Sequence, residues 1–242
     1  MIQCDLKSLY QHLELVQNNY DSVEELLKED LLDGWSRHQI KTDFDLKPND
    51  FLRFAKNDLK ANYEHHLINS LTNIKRTIDC QIDSIFVGLG INTKKSETEH
   101  WNFPEKIDIL NKLGILSPEI LGIINTQRND LEHRYSNPNE KNVKLALDIA
   151  QLFLKYTEKY LNDMPYDGVL IEHLNIDSHL DVNLDYKNRK FRFEGKEYSK
   201  DNFHSIKNSY VKEILEENRD EYLKYLKWFL LITDMEYTLY KT

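Results

Sequence analysis

Cysteine is scarce in this chain. Cys4 and Cys80 are the only two, and neither has a zinc-type partner nearby. That argues against a disulfide framework or a cysteine-based metal site, and makes a reducing cytoplasm the expected compartment. Long apolar runs are also missing. A stretch such as Trp228 to Ile232 falls well short of the roughly 20 residues a membrane span needs. The opening M-I-Q-C-D-L-K lacks the basic-then-apolar layout of a secretory signal. Positive charge is in deficit too, with a formal net charge of −9. Broad, non-specific binding to duplex nucleic acid depends on counterion release by many Lys and Arg, so it is disfavoured. A small basic cleft remains compatible with that balance. No internal repeat, low-complexity tract or carboxylate cluster with metal-site spacing stands out.

What is present is enough to build a core. The 242 residues are 40% hydrophobic and 30% charged. That suits one large domain, or a domain with an appendage.

Residues 1–47 are expected to form an N-terminal helical extension. Leu6, Leu9, Leu13 and Val16 recur at helical steps, and Ser22 with Glu25 can form a capping box for a second helix ending near Gly34. Trp35, Arg37, His38 and Phe44 follow in a polar connection, with Arg37 and His38 read as surface residues.

Pro48-Asn49-Asp50 opens a long helical stripe capped by Asn49 or Asp50. It runs from Phe51 through Leu59, Leu71, Ile78 and Ile82 to Phe86. An unbroken helix to Val87 would be about 37 residues and roughly 55 Å long, so a kink or turn is expected around Asn69 to Asn73. Gly88 and Gly90 end the stripe. Pro104 begins a short helix closed by Gly114, and Ser117-Pro118 caps the next. Asn139 or Glu140 starts a further helix with Val143, Leu147, Ala150, Leu154 and Tyr156 on its apolar face.

The period changes after Pro165. Val169-Leu-Ile and Leu180-Asp-Val-Asn-Leu-Asp-Tyr alternate as strands do, and Lys187-Asn188-Arg189 can turn the chain into K-F-R-F-E. Gly195-Lys196 reads as another turn. Residues 166–200 are therefore expected to be a small antiparallel meander. Asp201-Asn202 reads as the restart of helix, with Ile206, Tyr210, Ile214 and Leu215 on one face. Tyr222, Leu226, Phe229 and Leu230 mark a later face.

Arg128 to Tyr135, R-N-D-L-E-H-R-Y, carries the chemistry. It lies late in an amphipathic segment and stops at the breaker S-N-P-N. His133, with an ordinary pKa of about 6.5, can move protons near neutral pH. Arg128 can hold a phosphate and offset charge developing on it. Asn129 lies four residues before His133, so the two share a helix face, and Asn129 can orient His133 or the phosphate. Arg128 and His133 diverge by roughly 140° on an ideal helix. A second copy of the octet, facing the first, satisfies the geometry better than one helix alone.

The octet resembles the signature of the HEPN superfamily, in which Arg, often followed by a polar residue, precedes His by a few positions. Its Arg-x4-His-x-Tyr form is similar to that of HEPN toxins paired with small nucleotidyltransferases. The order of helices over residues about 48–162 also resembles the HEPN bundle. The resemblance implies a metal-independent endoribonuclease, without a cofactor, that cleaves RNA through its own 2′-hydroxyl. Such an enzyme would act as a homodimer with two octets across a shared cleft, in a prokaryotic toxin or antiviral defence system. RNA, including tRNA, is the implied substrate, and a nucleotidyltransferase-type antitoxin the implied partner. Tyr135 has two readings: core packing four residues beyond Leu131, or nucleotide stacking and acceptance of AMP from that antitoxin. The alternative for the whole chain is a non-catalytic binding or assembly module.

Other candidates rank below the octet. His65-His66 with Glu64 are read as a solvated helix face. His173 and His179 lack a third metal ligand at sensible spacing. The aromatic tail from Tyr222 and Tyr225 through Trp228 to Tyr237 and Tyr240 reads mainly as packing. The fold expected is mainly α within α+β: a HEPN-like helical domain over 48–164, the helical extension 1–47, and a β-meander plus helix over 165–242.

Overall fold

The computed structural model describes residues 32–95, 99–115, 121, 122, 126, 136–171, 178–199 and 202–239. The helices expected before Leu32, the Ser117-Pro118 cap and the octet lie outside the described residues. The chain forms two compact units. One spans Gln39–Met164, and the other joins the described residues up to His38 to those from Pro165 onward.

The first unit is helical. Helix α1, Pro48–Lys60, has Lys47 as N-cap and Pro48 in its first turn. The Asp50 carboxylate accepts from the Lys47 backbone N–H at 3.0 Å, so Asp50 closes the turn from inside the helix and neither Asn49 nor Asp50 is the cap. The break in the long stripe exists, but at Ala61–His65 and not at Asn69–Asn73. Helix α2 then runs His66–Gly88. Asp58 pins the break: Tyr63 Oη donates to Oδ1 at 2.6 Å, and Asn73 Nδ2 to Oδ2 at 2.8 Å.

Ile74, Ile78, Ile82 and Ile85 are fully buried along α2, as Ala55 is on α1. Helix α3, Phe103–Lys112, carries the expected Pro104 in its first turn, with Asn102 and Glu105 forming a capping box. Gly90 and Gly114 take left-handed φ of 65° and 74° just past α2 and α3, the conformation that glycine allows where a helix stops. Helix α4, Glu140–Thr157, is capped by Asn139, whose side chain accepts from the Lys141 N–H. Val143, Ala146, Leu147, Ala150, Phe153 and Leu154 are its buried face, and Tyr156 is exposed instead. The single turn α5, Lys159–Asn162, follows. The Ile40 N–H donates to Leu161 O at 2.7 Å. A Cβ on Gly88 would meet Ile40 Cγ1 at 3.0 Å and Tyr160 O at 3.3 Å, so an added methyl there would crowd both.

The second unit corrects the expected fold class. The expected mainly α class with a small meander is overturned by the sheet, while the helical unit fits the expected helical bundle in part. The chain is α+β with a five-stranded antiparallel sheet in the order β1-β2-β3-β4-β5. Strand β1, Leu32–His38, occupies the end of the expected extension and pairs with β2, Met164–Ile171. No local period announces it, because its partner is more than a hundred residues away. Strands β3, Ser178–Asp185, and β4, Lys190–Ser199, form the hairpin turned at Lys187-Asn188-Arg189. Gly195 makes no turn and pairs within the ladders with Leu180 and Tyr210.

Strand β5, Asn202–Leu215, replaces the expected helix. Its marks at 206, 210 and 214 are four apart, a spacing that suits both the helical and the strand period. At its end Ile214 is buried while Val211 and Leu215 are exposed, the alternation of a strand with one covered face. Helix α6, Arg219–Leu239, packs against β4 and β5. Phe191 meets Tyr222 and Phe229 at 5.4 Å between ring centroids, and Phe193 meets Tyr225 at 5.1 Å. Lys212 Nζ donates to Glu221 Oε1 at 2.8 Å and to Tyr225 Oη at 3.2 Å, joining β5 to α6. No helix among the described residues is long and apolar enough to cross a membrane.

Candidate functional site

The octet with Arg128, Asn129, His133 and Tyr135 lies outside the described residues, as do His173 and the side chain of His179. What brackets the octet is described. Upstream, Ile115 and Leu121 are buried in the helical unit. Thr126 Oγ1 donates back to Gly122 O at 2.9 Å, an i−4 bond of the kind made within helices. Downstream, the Asn139 cap fixes the start of α4, four residues after Tyr135.

The described part of the helical unit also holds a polar cleft of about 430 Å³ between α1 and α2, lined by Phe54, Asn57, Asp58, Asn69, Thr72, Asn73 and Arg76. Both Asp58 oxygens are engaged by Tyr63 and Asn73, so this carboxylate holds the turn and is not an available base. Asn69 Nδ2 reaches Tyr63 Oη at 3.1 Å and extends the same network. Arg76 is exposed and makes no ion pair or hydrogen bond among the described residues. The cleft can therefore offer one guanidinium and several amides to an anionic or polar group. Its lining has neither histidine nor cysteine, so it is equipped to bind and not to transfer protons.

A second charged group lies between α2 and α3. Lys106 is nearly buried and reaches Asp83 Oδ1 at 2.7 Å and Asp79 Oδ1 at 3.8 Å. Burial raises the Asp83 pKa from its ordinary value, and Lys106 acts against that rise. Lys75 pairs with Asp79 at 2.6 Å, so the group is internally compensated. Neighbouring Cys80 has its pKa pushed up to about 11, first by burial and then by Asp83. A neutral thiol at physiological pH is a poor nucleophile. His65 is exposed, in keeping with a solvated position, whereas His66 is partly buried with its Nδ1 unpartnered. Among the described residues, no group of three or more His, Cys, Asp or Glu could hold a metal ion.

The β unit contains the feature that periodicity missed. His38, expected at the surface, closes β1 inside an aromatic pocket. Its ring stacks on Tyr186 at 4.9 Å and meets Tyr166 edge-on at 4.7 Å. Both ring nitrogens are buried without a hydrogen-bond partner. Burial lowers its pKa, and the Lys187 charge lowers it further. The pairing of distant strands creates this pocket, so no local signal could have found it. Trp228 is likewise buried with its Nε1 unpartnered, under the sheet.

No family model, curated protein or solved structure matches the chain.

Proposed function

We propose that the chain is a metal-independent endoribonuclease whose Arg128, Asn129 and His133 cleave RNA through the 2′-hydroxyl. The observation that carries this reading is the octet: one guanidinium, one carboxamide and one imidazole within six residues, followed by Tyr135. His133 takes the 2′-hydroxyl proton in one protonation state and supplies a proton to the leaving 5′-oxygen in the other. Arg128 binds the scissile phosphate and offsets the charge that builds on it. Asn129 orients the imidazole or the phosphate. Two copies of the chain supply facing octets, which removes the divergence of Arg128 and His133 on one helix. The setting is a cytoplasmic toxin or antiviral defence system. Its partner is an antitoxin of the nucleotidyltransferase type, which adds AMP to Tyr135 and blocks the cleft by charge and bulk.

The test is cleavage of end-labelled tRNA and a mixed RNA pool in EDTA by the parent protein, Arg128→Ala and His133→Ala. Cleavage by the parent alone, leaving 2′,3′-cyclic phosphate ends, is expected. Cleavage that survives both substitutions, or none by an unmodified parent, overturns the reading.

A further inference from the structure

The hydrogen bonds of the cleft between α1 and α2 dictate what it can offer a ligand. The Asp58 carboxylate only accepts, so Tyr63 Oη and the Asn73 amide both donate to it, at 2.6 and 2.8 Å. The bond to Asp58 holds the Tyr63 proton in place and raises its pKa. With that proton committed, Tyr63 Oη accepts at 3.1 Å from the Asn69 amide. Thr72 Oγ1 gives its own proton to Ile68 O at 2.9 Å. The side-chain oxygens of Asn69, Thr72 and Asn73 are therefore left as acceptors, and they have no donor among the described residues. With Arg76 they lie on one strip of α2, at helical steps of three, one and three. Asp79, one turn beyond Arg76, pairs instead with Lys75 at 2.6 Å. The Arg76 guanidinium thus stands without a counterion among the described residues, beside three oxygen acceptors.

We infer that this cleft binds the ribose phosphate of a nucleotide, with the phosphate at Arg76, the sugar hydroxyls on the acceptors of α2 and the base along Phe54. A ligand that is only anionic would leave the three acceptors facing its lone pairs. A metal ion or a simple ammonium would be repelled by Arg76. A phosphorylated sugar supplies both functions, hydroxyl donors and an anion that a guanidinium binds well. Asn69 and Arg76 are seven residues apart, about 10 Å along α2. That separation matches the length of a nucleotide and exceeds the spacing of the two backbone charges of a free amino acid. The cleft volume of about 430 Å³ lies within the usual range of ligand pockets, about 300–1,000 Å³. On the α1 side, half-buried Phe54 offers a ring for a base to lie against. Asn57, three residues on, is exposed and makes no hydrogen bond among the described residues, so its amide is available to the polar edge of that base. The site is built from α1 and α2 alone and goes beyond the chemistry of the octet. Its ligand is a free nucleotide or one unit of an RNA chain, which carry the same group.

The test is isothermal titration of the full chain carrying His133→Ala, so that RNA stays whole, with adenosine, guanosine, cytidine and uridine 5′-monophosphates in turn. At least one is expected to bind at about 1 mM or below. Its 2′-deoxy form is expected to bind about fivefold more weakly, since one acceptor loses its donor. Arg76→Gln is expected to weaken binding about tenfold with an unchanged urea unfolding curve, because Arg76 makes no contact that holds the fold. Lys112→Gln removes the same charge from an exposed lysine of α3 and is expected to leave binding as it is. A short oligoribonucleotide without terminal phosphates separates the two sources: tighter binding than the mononucleotide identifies RNA, and weaker binding the free nucleotide. No binding of either at about 1 mM, equal affinity for the deoxy form, indifference to Arg76→Gln, or the same loss in Lys112→Gln would each overturn the inference. Failure of the parent to cleave RNA, with nucleotide binding intact, would fall on the nuclease reading alone.

Discussion

His38 stacks on Tyr186 with ring centroids 4.9 Å apart and an interplanar angle of 24°, and neither of its ring nitrogens has a hydrogen-bond partner. The imidazole is therefore accommodated as a neutral ring. Protonation there puts a charge in an aromatic pocket beside Lys187.

That burial makes the β unit sensitive to acid. The folded pKa of His38 lies below its ordinary 6.5, so the unfolded chain binds the proton more readily. The contribution of the neutral ring is complete above the unfolded value and is lost as pH falls towards and through the folded one. Thermal unfolding at about pH 5.5 and about pH 7.5 is expected to show a smaller pH dependence for His38→Phe than for the parent. Equal pH dependence in the two proteins would mean that His38 does not titrate as the pocket requires.

Lys106 is the cation that makes Asp83 tolerable between α2 and α3. Removing it leaves a mostly buried carboxylate uncompensated. Because Asp83 keeps about a quarter of its exposure, the cost falls below that of a fully buried pair. Lys106→Met is expected to destabilise the helical unit by about 2 kcal/mol in urea unfolding. Adding Asp83→Asn should recover part of that loss. A double substitution no better than the single would show that packing of the lysine stem, and not charge, is what matters.

Cys80 is expected to be chemically quiet. With its pKa pushed up to about 11, the thiolate fraction is small at about pH 8. In a Cys4→Ser background, thiol-reactive dye should label the native protein far more slowly than the urea-unfolded one. Comparable rates would contradict the burial and the neighbouring Asp83 charge.

Gly88 is expected to resist even the smallest side chain. Alanine would meet Ile40 and the Tyr160 carbonyl, and Gly88 is the last residue of α2, where the helix gains little from a better helix former. Gly88→Ala should cost about 1 kcal/mol, read in urea unfolding. Stability equal to the parent would show that the Ile40 side chain yields freely.

Legibility followed the range of the interactions. The stripe of α1 and α2 and the alternation of β3 and β4 repeat over enough residues to declare their period, and Lys187-Asn188-Arg189 is a turn by its own chemistry. The length of the stripe demands a break between α1 and α2, but its place depends on Asp58, which is held by Tyr63 and Asn73 across the break. In strand β5 a spacing of four at 206, 210 and 214 belongs to both the helical and the strand period, and its partner β4 resolves the ambiguity.

The sequence by itself determined which residues can do chemistry at the octet, since the proton affinity of His133 and the charge of Arg128 are properties of the side chains. It also determined the long helical segments, whose periods are local. Only the tertiary structure decided that Leu32–His38 is a strand, that the His38 ring rests against two tyrosines with both nitrogens unpartnered, and that Asn202–Leu215 is a strand. Each of these depends on residues far apart in the chain, and a local period carries no record of which distant surface comes to rest against it.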